Sequence, residues 1–127
     1  MQEKKLFEYA IIRLVPAVER EEFLNIGAVL YCAGQKFLDI KYTVDTEKIT
    51  AFNPSVDIPE VMEHLAAFEQ VCKGGAGSGA IGSLPIAERF RWLTAARSTI
   101  IQASKVHPGF CGNAKDTLDK LFEKMVG

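Results

Sequence analysis

At 127 residues the chain is the size of one ordinary domain, which excludes a two-lobed enzyme with a cleft between its halves. Its 48% hydrophobic and 24% charged residues describe a chain that folds around a core, and exclude the disordered, collagenous and membrane-spanning classes. With 15 basic and 16 acidic residues, a formal net charge of −1, nothing in the bulk charge draws it to nucleic acid or anionic lipid.

Leu6 to Val15 (LFEYAIIRLV) is rich in β-branched and aromatic residues and stops at Pro16, which reads as a strand. Phe7, Tyr9, Ile11 and Val15 fall on one side and Leu6, Ala10, Ile12 and Leu14 on the other, so both faces are expected to be covered. A polar connection, PAVEREEF, leads to a second strand from Leu24 to Ala33, where Gly27 marks either a bulge or a close backbone approach. After a tight turn at Ala33–Lys36, Leu38, Ile40, Tyr42 and Val44 alternate with polar residues in a third strand with one wet face.

Asp57 and Glu60 have capping-box spacing, Pro59 suits a first turn, and the apolar residues that follow predict a helix over 58–72. Residues 73–83 hold five of the ten glycines and read as a flexible loop, after which Ser83 is placed to cap a shorter helix, PIAERFRWLTA. Arg97 to Ser104 reads as a short fourth strand. The last segment carries an apolar stripe from Ala114 to Val126 behind Asn113, a natural N-cap. The expectation is one α+β domain spanning 1–127, with a three-stranded antiparallel meander plus a short fourth strand packed against two or three helices.

Among chemical signals, Gly77-x-Gly79-x-x-Gly82 has the spacing of a dinucleotide fingerprint but follows a helix instead of a strand, and lacks the GK[ST] of a phosphate loop. It reads as a linker or a gating loop. Cys32, Cys72 and Cys111 are far apart without a CxxC, which argues for free thiols and against a disulfide framework or a metal site. His107 and Cys111, at H-x3-C spacing, could form a base and thiol pair, but no orienting group accompanies them, and His64 reads as a solvent-facing histidine. No cofactor is implied. Glu8 and Arg13 interrupt the first apolar run, so no signal-peptide core is present, and no stretch reaches the roughly 20 apolar residues of a membrane helix. The expected location is a reducing cytoplasm.

Arg13 is the most informative polar residue, because an arginine on an apolar strand must find a carboxylate, an anion or water. Two readings stand. In one, Arg13 and Glu22 form a structural ion pair with Asn25 closing the turn; in the other, Arg13 with Arg20 and Arg97 binds a phosphate or carboxylate by its bidentate fork. Arg97-Ser98-Thr99 could hold an oxyanion, or be a helix end running into an edge strand.

Two stretches, YAIIRLVPAVEREEFLNIGAVLYC (9–32) and FRWLTAARSTIIQASKVHPGF with its LDKLFEKMV helix (90–126), resemble a bacterial family of domains of unknown function, DUF3037. The motif positions are Arg13, Pro16, Arg20, Glu22, Phe23, Asn25, Gly27, Arg97, Ser98, Thr99 and His107. The resemblance implies a small bacterial cytoplasmic protein with no established activity, and a kinase-like neighbour as a protein partner. It also makes Arg13, Arg20, Asn25, Arg97, Ser98 and His107 the polar set whose convergence would define a site.

The leading expectation is a small interaction module without catalysis of its own, binding another protein through a sheet edge or helix face and neither nucleic acid nor membrane. The alternative is a small enzyme or sensor for a phosphorylated or carboxylated small molecule, using Arg13, Arg20 and Arg97, with His107 as acid-base. Homodimerisation through an edge strand is compatible with both.

Overall fold

The computed structural model describes residues 4–17, 20–75, 77 and 79–126. Three strands, β1 (Lys5–Leu14), β2 (Leu24–Cys32) and β3 (Phe37–Tyr42), form the expected antiparallel meander, with a single 3-10 turn at Ala33–Gln35 between the last two. Helices α1 (Thr46–Phe52), α2 (Ile58–Lys73), the single turn α3 (Gly79–Gly82) and α4 (Ile86–Thr94) come next. Two short strands, β4 (Ile101–Ala103) and β5 (His107–Cys111), and a final helix α5 (Ala114–Met125) complete the chain. The sheet is ordered β3-β2-β1-β4, and β5 pairs with the other end of β1 on the same side as β4. The fold is α+β, with one strand more than the sequence predicts.

Both faces of β1 are covered, as its two apolar parities require. Ala10, Ile12 and Leu14 join Ile26, Val29 and Ile40 beneath α1, α2 and α4, which contribute Ile49, Val61, Leu65, Phe68, Phe90 and Leu93. Phe7 and Ile11 join Ala28, Leu30 and Cys32 on the opposite face, against Ala114 and Leu118 of α5. Ile12, Leu14, Leu65 and Leu93 are fully buried, and each such side chain contributes about 1.5–3 kcal/mol relative to exposure.

The parity of β2 changes midway. Ile12 pairs with Gly27 but Arg13 with Asn25, so Ile26 is an extra residue in a β-bulge. The bulge lets Ile26 and Val29, three residues apart, reach the same layer. Gly27 also serves the second role its position suggested. A Cβ there would lie 2.8 Å from the Lys41 carbonyl oxygen and 2.9 Å from Tyr42 Cβ, so no side chain fits where β3 crosses.

Helix ends follow their capping residues. Asp57 accepts from the Glu60 amide at 3.2 Å and Asn113 from the Asp116 amide at 2.9 Å, which fixes the starts of α2 and α5 where the sequence placed them. Two details differ. Ser83 donates its hydroxyl to Gly79 at 3.0 Å instead of capping α4, which follows Pro85 without a side-chain cap. Within 73–83, expected as loop throughout, Gly79–Gly82 closes a helical turn and Lys73 ends α2. Helix α1, absent from the sequence reading, is capped by Asp45, whose carboxylate accepts from Lys48 at 3.1 Å, and buries only Ile49.

Candidate functional site

The polar set divides between the two faces of the sheet. Arg97 lies in the layer of α2 and α4, where its guanidinium donates to the carbonyls of Leu93, at 3.2 Å, and Trp92. Its charge sits 5.0 Å from the centre of the Phe68 ring and 4.7 Å from that of Trp92. Burial pushes its pKa down. A cation spanning the last carbonyls of a helix and packed on two aromatic rings is a structural cap. Beside it Ser98 is exposed, and the Thr99 hydroxyl donates to the Ile101 carbonyl at 2.8 Å, so this segment is a helix end running into a strand. Arg89 does similar work for α2, donating to Val71 at 2.9 Å and Cys72 at 2.8 Å.

Arg13 is on the other face, at the far end of β1. The expected Arg13–Glu22 pair is not formed: Glu22 lies in the exposed connection before β2 and accepts from Arg20 at 2.9 Å. Arg13 instead stacks on Phe23, 4.1 Å from the ring centre, and its Nε is buried without a hydrogen-bond partner. Asn25, its partner across the strands, donates to the Met125 carbonyl at 3.2 Å and so ties the start of β2 to the end of α5. Its Oδ1 is also buried and unpartnered. Arg13 lines a cavity of about 350 Å³ together with Val15, Glu21, Glu22, Phe23, Gln102 and Ala103. Arg13 and Asn25 are therefore brought together, with Arg20 at the rim through Glu22, while Arg97 belongs to the opposite layer.

His107 is apart from both, four positions along β1 from Arg13, where its ring packs on Tyr9 at 5.4 Å. Four residues of extended strand span about 13 Å, so His107 cannot deprotonate Cys111 on the same strand. All three cysteines are free and buried. Burial first, then the nearby Asp39 carboxylate, pushes the Cys72 thiol up to about 12, and burial likewise raises Cys111, with Cys32 adding to the effect. Thiols held protonated are poor nucleophiles. Among the described residues no group of three His, Cys, Asp or Glu side chains is arranged to hold a metal.

A second feature was not legible in the sequence. The Ser104 amide donates to the Ile11 carbonyl at 2.8 Å and Val15 donates to Ile100 at 2.7 Å, so odd-numbered residues of β1 face β4 and β5. Glu8–Pro108 and Leu6–Phe110 are then non-hydrogen-bonded pairs, which suits a proline without an N–H. The amide and carbonyl of Phe110 consequently point outward along an edge on which no further strand lies among the described residues. The Phe110 side chain is 69% exposed and Leu6, directly across from it, 54%, with Val106 exposed nearby. Where β4 gives way to β5, buried Ser104 holds the edge together: its Oγ accepts from the Ile11 amide at 2.8 Å and donates to the Lys105 carbonyl at 2.9 Å.

These features define a small α+β domain with helices on both faces of an antiparallel sheet that ends in β3 on one side and in β4 and β5 on the other. The chain belongs to the DUF3037 family of proteins of unknown function, whose family model matches residues 9–126. The match runs through the glycine-rich middle as well as the two ends that carry the resemblance. No curated protein and no solved structure matches the chain.

Proposed function

We propose that the protein is a small bacterial, cytoplasmic interaction module, without catalysis of its own, that binds another protein along the outer edge of β5. The observation that carries this reading is Phe110: a largely exposed aromatic side chain, paired with exposed Leu6, on a strand whose outer side pairs with no other strand among the described residues. Such an edge receives an extended segment by strand addition, with backbone hydrogen bonds giving affinity and the apolar pair giving selectivity. Pro108 keeps the ladder short and guards against indiscriminate edge pairing. A cytoplasmic setting is supported by three buried free thiols, and no described helix is long and apolar enough to cross a membrane.

The division of the polar set between two faces weighs against a single arginine cluster acting on a phosphorylated substrate. The test is capture of partners by the tagged chain, followed by binding measurements with the purified partner, using wild type and Phe110→Asp. Kinase-like neighbours are the first partners to try. Loss of binding in a variant that melts with the wild type supports the reading; equal binding by both overturns it.

A further inference from the structure

The two edges of the sheet are built differently. β3 carries Asp39 and Lys41, the latter bound to Asp119 at 3.1 Å, and such charges discourage edge pairing. β5 and its flanks, residues 106–113 (VHPGFCGN), contain no lysine, arginine, aspartate or glutamate. Phe110 and Leu6 lie exposed in one row across the strands, and α5 packs over β2 and β3, leading away from this edge.

The outward backbone groups follow from the register. In a trans peptide the carbonyl of one residue and the amide of the next point in opposite directions. Phe7–Gly109 and Lys5–Cys111 are hydrogen-bonded pairs, so the amides and carbonyls of Gly109 and Cys111 are turned toward β1. This leaves the Pro108 carbonyl, the amide and carbonyl of Phe110 and the Gly112 amide turned outward. Two groups are missing from that row: Pro108 has no N–H, and the Gly112 carbonyl is turned back to accept from Gln35 Nε2 at 2.8 Å. Gln35 is fixed there because its Oε1 accepts from the Ala114 amide at 2.9 Å.

These two gaps match each other. Resting on the reading of β5 as an open edge, we infer that the edge also pairs with a second copy of this chain, antiparallel about a two-fold axis at Phe110. Each Phe110 amide then donates to the Phe110 carbonyl of the other copy, and each Gly112 amide donates to Pro108 of the other copy. The bond that Pro108 cannot donate would have ended on the Gly112 carbonyl, which Gln35 already occupies, so no outward group from 108 to 112 is left over. Moving the axis to Gly109 leaves the Phe110 carbonyl without a donor, and moving it to Cys111 leaves the Phe110 amide without an acceptor. The axis at Phe110 also sets the two aromatic rings side by side between two Leu6 side chains, which covers the exposed apolar row. A contact this small is reversible, so the edge is open in dilute solution, and a protein partner and the second copy compete for it.

The experiment is sedimentation equilibrium of the full chain, wild type and Phe110→Asp, from about 1 μM to about 1 mM, with isotope-filtered NOE spectra of a half-labelled wild-type sample at the upper concentration. Wild type is expected to pass from monomer to dimer across that range, and Phe110→Asp to associate at least about tenfold more weakly. The axis at Phe110 sets Gly109 opposite Cys111 of the second copy in a non-hydrogen-bonded pair, about 4.5 Å between Cα atoms. An intermolecular contact between the Hα protons of Gly109 and Cys111 is therefore expected, and it needs no substitution. The pairing is overturned if wild type remains monomeric to about 1 mM, if Phe110→Asp associates as tightly, or if the intermolecular contacts fall elsewhere. A monomeric chain that still binds a captured partner through Phe110 overturns the self-pairing alone. A dimer with the Gly109–Cys111 contact that binds no other protein overturns only the reading of a different protein as partner.

Discussion

Arg97 and Arg13 occupy opposite faces of one sheet, and what surrounds each of them distinguishes an arginine that the fold uses from one that it leaves open. Arg97 donates to two carbonyls at the end of α4 and packs against both Phe68 and Trp92. Its hydrogen bonds replace water on groups that would otherwise be orphaned, so the helix end depends on it. Arg13 is in contact with one ring, makes no salt bridge among the described residues, and turns an unpartnered Nε into the protein. The same side chain ties down a helix end in one place and leaves its Nε–H without an acceptor in the other. Residue type alone did not separate them; the partners did.

The contrast can be broken most severely at Arg97. Arg97→Met should cost about 3 kcal/mol, since it strips two helix-end acceptors of their donor and removes the cation from two rings, and Arg97→Lys should recover little because a point charge lacks the fork. Urea unfolding measures both. At the seam between β4 and β5, Ser104→Ala leaves the buried Ile11 amide without an acceptor and should cost about 2 kcal/mol by the same assay. By contrast, Arg13→Met should change stability by no more than about 0.5 kcal/mol, because a half-buried cation without a counter-charge contributes little to the fold it sits in. A large loss there would return Arg13 to the structural class.

Cys72 sharpens the comparison from the side of the core. Its folded thiol titrates at about 12 against an ordinary 9.0, so below about pH 9 both folded and unfolded chains hold the proton and the shift has no effect. Above that the unfolded chain ionises first, and stability falls as pH rises toward 12. Cys72→Ala should show a shallower alkaline decline in melting temperature than wild type. The smallest effect on folding is expected at Phe110→Asp, a surface change on an open edge that should leave stability within about 0.5 kcal/mol while removing partner binding.

Much of the fold was legible because local signals and burial agree. The doubled apolar parity of β1 announced a strand covered on both faces, and Asp57 and Asn113 announced the starts of α2 and α5. Gly27 was flagged for either of two causes, and both operate there, one through the adjacent bulge and one through the approach of β3. The fifth strand was hidden because HPGFC carries the residues of a turn. Pro108 is tolerated only because its pairing with Glu8 needs no N–H, and Gly109 because the Phe7 ring lies over it, 2.5 Å from where a Cβ would stand. Helix α1 was hidden because a single buried residue, Ile49, produces no periodicity.

The candidate site was less legible than the fold. Arg97 lies in an irregular stretch between α4 and β4, where no alternation assigns a face, so the sequence could not tell that it and Arg13 look away from each other. The Arg13–Glu22 pair was plausible by separation in sequence, yet Arg20 is the nearer competitor within the same connection. Phe110 gave no signal as a single aromatic after Pro-Gly, because its exposure follows from the pairing of β5 with β1 across more than one hundred residues.

The central claim, that the outer edge of β5 is where the protein binds, is most directly tested by amide hydrogen exchange at Phe110 in the free chain and in the complex with a purified partner. The Phe110 amide is expected to exchange rapidly when free and to become protected on binding, while the Gly109 amide, already directed at Phe7, changes little. Unchanged exchange at Phe110 under saturating partner, with new protection on the helices instead, would contradict the claim.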